Sequence, residues 1–178
     1  MDLTQLIELY RGPLVGLIAS WGTPWIDAKD IAQDSFAEAY LSRESCRGDW
    51  EQPEIFGAWL RGIARNRHRN WVRSRKRRRN HVVTVEPAVL EGIAAPSGPE
   101  PPLQLERLRT AIFRLPTKQR QVVLMHYLEE TSIKEVAILL SIKPKTVEGR
   151  LYQARRALRR ILDDKISTTQ IGRMLLCL

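Results

Sequence analysis

At 178 residues, 43% of them apolar, the chain can hold one domain or two small ones. Its net charge of +9 and isoelectric point near 10.1 point to a polyanionic partner, without choosing between nucleic acid and an anionic membrane surface. Only Cys46 and Cys177 occur, far apart and away from any Cys/His cluster, which argues against a disulfide scaffold or a zinc site and for a reducing compartment.

No apolar run approaches the ~18 residues of a bilayer span, and Met1–Gln5 carries no basic leader. A soluble, cytoplasmic protein without metal or cofactor is the expectation. Charge is segregated along the chain. Residues 1–60 hold four basic and ten acidic side chains, and residues 61–80 ten basic and none acidic. Residues 81–106 hold four acidic and none basic, and residues 107–178 fifteen basic and six acidic. An acidic spacer therefore separates two basic surfaces.

From Leu3 to Ser20, the spacing of Leu6, Leu9, Tyr10, Leu14, Leu17 and Ile18 predicts an amphipathic helix with a bend near Gly12-Pro13. Gly22 to Pro24 ends it. Asp27 to Ser42 reads as a second helix that buries Ala28, Ile31, Ala32, Ser35, Phe36 and Ala39. Asp27, Asp30, Asp34 and Glu38 line one acidic stripe along it. That stripe fits a solvated face, a divalent-metal cluster with further ligands, or a docking face for a basic partner.

Arg43 to Pro53 reads as a loop containing Trp50. Phe56 to Arg79 is predicted as a long helix, apolar first and then dense in Arg65, Arg67, Arg69, Arg73 and Arg75, interleaved with Asn66, His68, Asn70 and Trp71. Cations mixed with amides and rings can hold phosphates and stack on unpaired bases. A localisation signal or a nonspecific RNA-binding arm would share that composition. His81 to Pro102, with five prolines, reads as a linker.

Beyond it, Leu105, Leu108, Ile112 and Leu115 mark a helix from Leu103, and Pro116 opens another centred on Val122–Leu128. Ser132 and Glu135 form a capping-box pattern at the head of a short helix carrying Ile133, Val136, Ala137 and Leu140. Pro144 suits the first position of the last helix, whose stripe is Val147, Leu151, Ala154, Leu158 and Leu162. Its other faces carry Lys145, Glu148, Gly149, Arg150, Gln153, Arg155, Arg156, Arg159 and Arg160. Two such helices, the second basic, suit a helix-turn-helix that lays its second member in a DNA major groove. A plain helical hairpin with a solvated face has the same pattern. The fold class is therefore all-α: two small helical domains, near 1–80 and 103–165, joined by a Pro-rich linker at 81–102. The C-terminal one is a four-helix, helix-turn-helix (winged-helix-like) domain, followed by a tail at 166–178.

Three stretches together resemble the sigma-70 family of bacterial RNA polymerase sigma factors, in its extracytoplasmic-function (ECF) group. Asp30-Ile-Ala-Gln-Asp-Ser-Phe36 is similar to one family signature, and Phe56-Gly-Ala-Trp-Leu-Arg-Gly-Ile-Ala-Arg-Asn66 to a second. Leu115-Pro116, Arg120, Val122 and Leu124 with the following helix-turn-helix are similar to the family's second conserved domain. The resemblance covers about residues 3–162. It implies a non-enzymatic promoter-specificity subunit that binds core RNA polymerase through its clamp helices and flap. Asp27, Asp30, Gln33, Asp34 and Glu38 would dock on the polymerase. Arg65, Asn66, Arg69, Asn70, Trp71 and Arg73 would capture the minus-ten element as single-stranded DNA. Lys143, Lys145, Thr146, Glu148, Arg150, Gln153 and Arg156 would read the minus-thirty-five element as duplex. An anti-sigma factor is the family's usual regulatory partner.

The sequence departs from the family pattern at the turn. Ser141 stands where glycine is usual, Lys143 where a capping serine is common, and Glu148 where a basic residue is usual. Glu148 suits either acceptance from a cytosine amine or repulsion of the backbone. A stand-alone dimeric helix-turn-helix regulator would leave the acidic stripe and the Trp-bearing basic helix without a role. A metal-dependent nuclease built on Asp27, Asp30 and Asp34 would lack a histidine or further acid beside them.

Overall fold

The computed structural model describes residues 1–81 and 103–162. They form α1 (Leu3–Ala19), α2 (Trp25–Leu41), a 3-10 turn at Arg43–Ser45, α3 (Pro53–His81), α4 (Leu103–Arg114), α5 (Thr117–Leu128), α6 (Ile133–Leu140) and α7 (Pro144–Ile161). There is no strand among the described residues, and no helix there is long and apolar enough to cross a membrane.

Local chemistry sets the helix ends. Asp2 caps α1, accepting from the Gln5 amide at 2.8 Å while the Gln5 side chain accepts from the Asp2 amide at 3.1 Å. Ser132 and Glu135 form the corresponding pair at the head of α6, as their spacing predicts. Gly22, at φ +91°, supplies the left-handed step between α1 and α2. Pro13 lies inside α1, which runs unbroken to Ala19.

α1 is the hub of the molecule. It packs on α2 and α3 on one side and on α5 and α6 on the other. Its first half is one-sided, with Leu6 and Tyr10 inward. From Pro13 to Ser20 every residue is buried. The expectation of a simple amphipathic helix thus fails over its second half, because α5 covers the face that the sequence pattern leaves to solvent. At Gly16 the approach is so close that an added Cβ would lie 2.6 Å from the Met125 Cα and 2.9 Å from the Leu124 carbonyl oxygen.

Polar bonds reinforce this seam. Arg120 on α5 donates from Nε to the Ser20 carbonyl at 2.9 Å, with its guanidinium over the Phe113 ring. Arg61 on α3 donates to the Ser141 hydroxyl at 3.0 Å. The buried side chains of both halves consequently form one continuous core. Within the first half, Tyr10 donates to the Pro53 carbonyl and its ring lies against Phe56. Burial, with a smaller contribution from Glu54, pushes its phenol well above the ordinary range.

Gly16→Ala should therefore cost about 1–3 kcal/mol through overpacking against backbone, read by urea unfolding. Gly62→Ala, where an added Cβ meets nothing within 4 Å, should instead gain up to about 1 kcal/mol of helix propensity. His68 lies between the Trp21 and Trp71 rings, at 5.1 and 6.1 Å between centroids. Burial holds its imidazole below the ordinary 6.5, so the unfolded chain takes up the proton first as pH falls. The stability contributed by neutral His68 is present above that value and lost below it. His68→Gln should flatten the corresponding acid limb of a melting-temperature profile.

Candidate nucleic-acid interface

The four acids of α2 do not form a free docking stripe. Asp27, Asp34 and Glu38 turn toward α3. Glu38 accepts from Arg67, whose guanidinium also stands 3.8 Å from Asp34, and Arg75 stands 4.0 Å from Asp27. These are exposed or half-exposed pairs of modest worth, and they fix the pitch of α3 against α2. Asp30 and Gln33 point outward. At about 100° per residue they share a face with Ile26, Tyr40 and Leu41. Those three are large side chains exposed by 76%, 51% and 80%. The outward face of α2 is therefore mixed apolar and polar, and the sequence reading, drawn to its carboxylates, missed the apolar part. Exposed Ile and Leu at the two ends of an otherwise well-patterned helix were the available signal.

On α3 the same geometry sorts the basic run. Arg65, Asn66, Arg69, Asn70 and Arg73 are all exposed and fall within one arc of about 140°. The structure brings them together as a row of cations and amides. Trp71, grouped with them by sequence, lies on the opposite side. Its ring stacks on His68 and is capped by the Arg75 guanidinium 5.1 Å above its centroid. Among the tryptophans, Trp50 and Trp59 are half-buried against the core, the latter edge-on to Phe56.

The helix-turn-helix is α6 and α7. Ser141 takes the left-handed conformation, φ 53° and ψ 49°, where a glycine would be relaxed. Its amide and that of Ile142 return to the Ile138 and Ala137 carbonyls, closing the helix end. Lys143 occupies the N-cap of α7 and makes no capping bond with its side chain. Pro144 follows at the first turn.

Val147, Leu151, Ala154 and Leu158 are buried. The opposite face of α7 presents Lys145, Thr146, Gly149, Gln153 and Arg156, all exposed, with Glu148 toward one edge. Gly149 leaves that surface open, with nothing within 4 Å of an added Cβ. Tyr152, 63% exposed, stands at the edge of it, between Lys145 and Glu148. The sequence reading passed over this ring, although its helical register places it there. Arg150 is half-buried and turns the other way, into the seam between the halves.

Comparison with known proteins agrees with this arrangement. The sigma-70 region 2 family model matches residues 6–78 and the sigma-70 region 4 model residues 105–158. The ECF RNA polymerase sigma factor SigW of Bacillus subtilis is 31% identical over 171 residues, covering 90% of this chain and 88% of that protein. A probable RNA polymerase sigma factor, RfaY of Xanthomonas campestris pv. campestris, is 32% identical over 149 residues. That match covers 82% of this chain, but the chain spans only 36% of RfaY's length. Among solved structures, CnrH in complex with the cytosolic domain of CnrY aligns with a TM-score of 0.52 and 28% identity, over 92% of this chain and 88% of CnrH. A basic, amide-bearing helix face and a helix-turn-helix, each inside its own family match and in the right order, leave one assignment: the chain belongs to the sigma-70 family of RNA polymerase sigma factors, in its ECF group, and is a promoter-specificity subunit.

Proposed function

We propose that the outward face of α2, with Asp30 and Gln33 set among Ile26, Tyr40 and Leu41, docks on the clamp helices of core RNA polymerase. The face of α3 formed by Arg65, Asn66, Arg69, Asn70 and Arg73 then holds the minus-ten element, its arginines on phosphates and its amides on the edges of separated bases. The clustering of these five side chains on one exposed arc is the observation that carries the reading. Trp71 braces that face from behind. α7 reads the minus-thirty-five element in the major groove through Lys145, Thr146, Gln153 and Arg156. Lys143 meets a phosphate, and Tyr152 offers its ring or hydroxyl to a base edge. Domain boundaries near 80 and 103, residence in the cytoplasm and regulation by an anti-sigma factor belong to the same reading. The chain supplies binding energy for strand separation and no catalytic group.

The closed arrangement cannot serve both promoter elements at once. By their names the elements lie about 25 base pairs apart, roughly 85 Å of helix. A compact chain of this length has a radius of gyration of only about 16 Å. The halves part at the α1–α5 seam before both elements are engaged.

Purified protein mixed with core RNA polymerase should initiate selectively from a promoter library. Failure to associate with the core enzyme, with duplex DNA still bound by the chain alone, would move the assignment to a stand-alone regulator. Arg69→Ala should weaken open-complex formation more than closed-duplex binding and lower the salt slope by about 1. Trp71→Ala should lower the melting temperature of the free protein instead. Arg156→Ala should relax base preference in the upstream element alone, by about 1–3 kcal/mol.

A Cβ at Gly12 would lie 3.1 Å from the Glu129 Cβ across the seam, close to the ~3.5–4.5 Å that a disulfide spans. In a Cys46→Ser/Cys177→Ser background, Gly12→Cys/Glu129→Cys should lose promoter-dependent initiation when oxidised and regain it on reduction. Full activity of the oxidised form would show that opening is not needed.

A further inference from the structure

Between the two halves, beside the seam, lies a cleft of about 450 Å³. Arg61 and Arg65 reach it from successive turns of α3, Lys118 from the first turn of α5, and Arg150 from α7. Trp21 and Gln121 complete its polar and aromatic lining, and no acidic side chain lines it. None of the four cations is in an ion pair among the described residues, whereas Arg67 and Arg75 on the same α3 find carboxylates on α2. Arg61 is half-buried, donates to the uncharged Ser141 hydroxyl and lies near the Tyr10 phenol, neither of which carries a compensating charge at neutral pH. Closing the molecule therefore brings four positive charges together, two from each half, with nothing of opposite sign between them. Such an arrangement repels itself unless an anion enters.

We propose that this cleft is a binding site for a short run of linked phosphates, as carried by a nucleoside polyphosphate or by free inorganic polyphosphate. Guanidinium groups match phosphate oxygens in pairs, and a lysine adds a mobile point charge. The volume lies in the range of small-molecule sites and is too small for a DNA duplex. Because the cations come from both halves, the bound anion holds the halves together. It also covers Arg65 of the proposed minus-ten face, so it competes with promoter binding; this second consequence rests on the promoter reading, and the binding itself does not.

The first measurement is calorimetric titration of the full chain with inorganic tripolyphosphate and, separately, with adenosine triphosphate, at near-physiological salt. The expected result is saturable 1:1 binding with a higher melting temperature. Arg61→Gln/Lys118→Gln should weaken it at least tenfold. Arg77→Gln/Arg78→Gln removes the same charge from an exposed stretch of α3 and should leave it nearly unchanged. Equal weakening in the two variants, or binding without a defined stoichiometry, would reduce the site to general attraction by a basic protein and overturn the proposal.

Lys118→Gln alone removes one exposed side chain and keeps the test sound should the double variant fail to fold. It should weaken the probe several-fold while leaving promoter-dependent initiation in the absence of the probe unchanged. The oxidised Gly12→Cys/Glu129→Cys protein, held closed, should bind tripolyphosphate at least as tightly as the reduced one; weaker binding would overturn the cleft as the site. Tighter binding of the nucleotide, lost in Trp21→Leu, assigns the nucleoside form, and equal affinity for the two probes assigns free polyphosphate.

Discussion

Everything in this molecule hangs on the approach of α5 to α1 at Gly16. With an added Cβ placed 2.6 Å from the Met125 Cα, only a residue without a side chain lets the two backbones meet. That contact makes α1, which also packs on α2 and α3, the central helix of the seven among the described residues. It also gives the second half of α1 its complete burial and leads Arg120 to the free Ser20 carbonyl. A helix end buried in this way leaves carbonyls without helical partners, and the guanidinium answers one of them from the other half of the chain.

The same seam sets the electrostatics. In the first half, the positive run of α3 is partly neutralised in cis by the carboxylates of α2, through Arg67 and Arg75. What remains exposed and, among the described residues, unpaired includes the arc from Arg65 to Arg73 and the following Lys76, Arg77 and Arg78. In the second half, the apolar stripe of α7 turns inward and leaves its cations on the surface. The seam between the halves is well packed, and Arg120–Ser20 and Arg61–Ser141 are polar bonds that cross it. Apolar packing and charge repulsion oppose each other within that one interface.

Much of the site was legible because helix periodicity is a local property. The stripes of α2, α5 and α7, the capping box at Ser132 and the left-handed step at Ser141 all follow from residues within a few positions of one another. Assigning side chains to faces went further astray where a neighbouring helix decides. Asp27, Asp34 and Glu38 read as a free acidic stripe until α3 is laid against them, and Trp71 reads as a base-stacking residue until His68 and Arg75 close over it. Tyr152, Ile26, Tyr40 and Leu41 were missed for the converse reason. An apolar side chain in sequence reads as core unless the packing leaves it uncovered.

The sequence by itself determined the helices, their ends, the segregation of charge and, through three short signatures, the family. These are written in spacing and residue type, which act over one or two turns. Only the tertiary structure decided that the two halves share one core, that Arg61, Arg65, Lys118 and Arg150 meet in one cleft, and which faces of α2 and α3 remain open. Those outcomes depend on contacts between residues 100 or more positions apart, such as Arg120 and Ser20 or Gly16 and Met125. No periodicity within a helix records which other helix its backbone is small enough to touch.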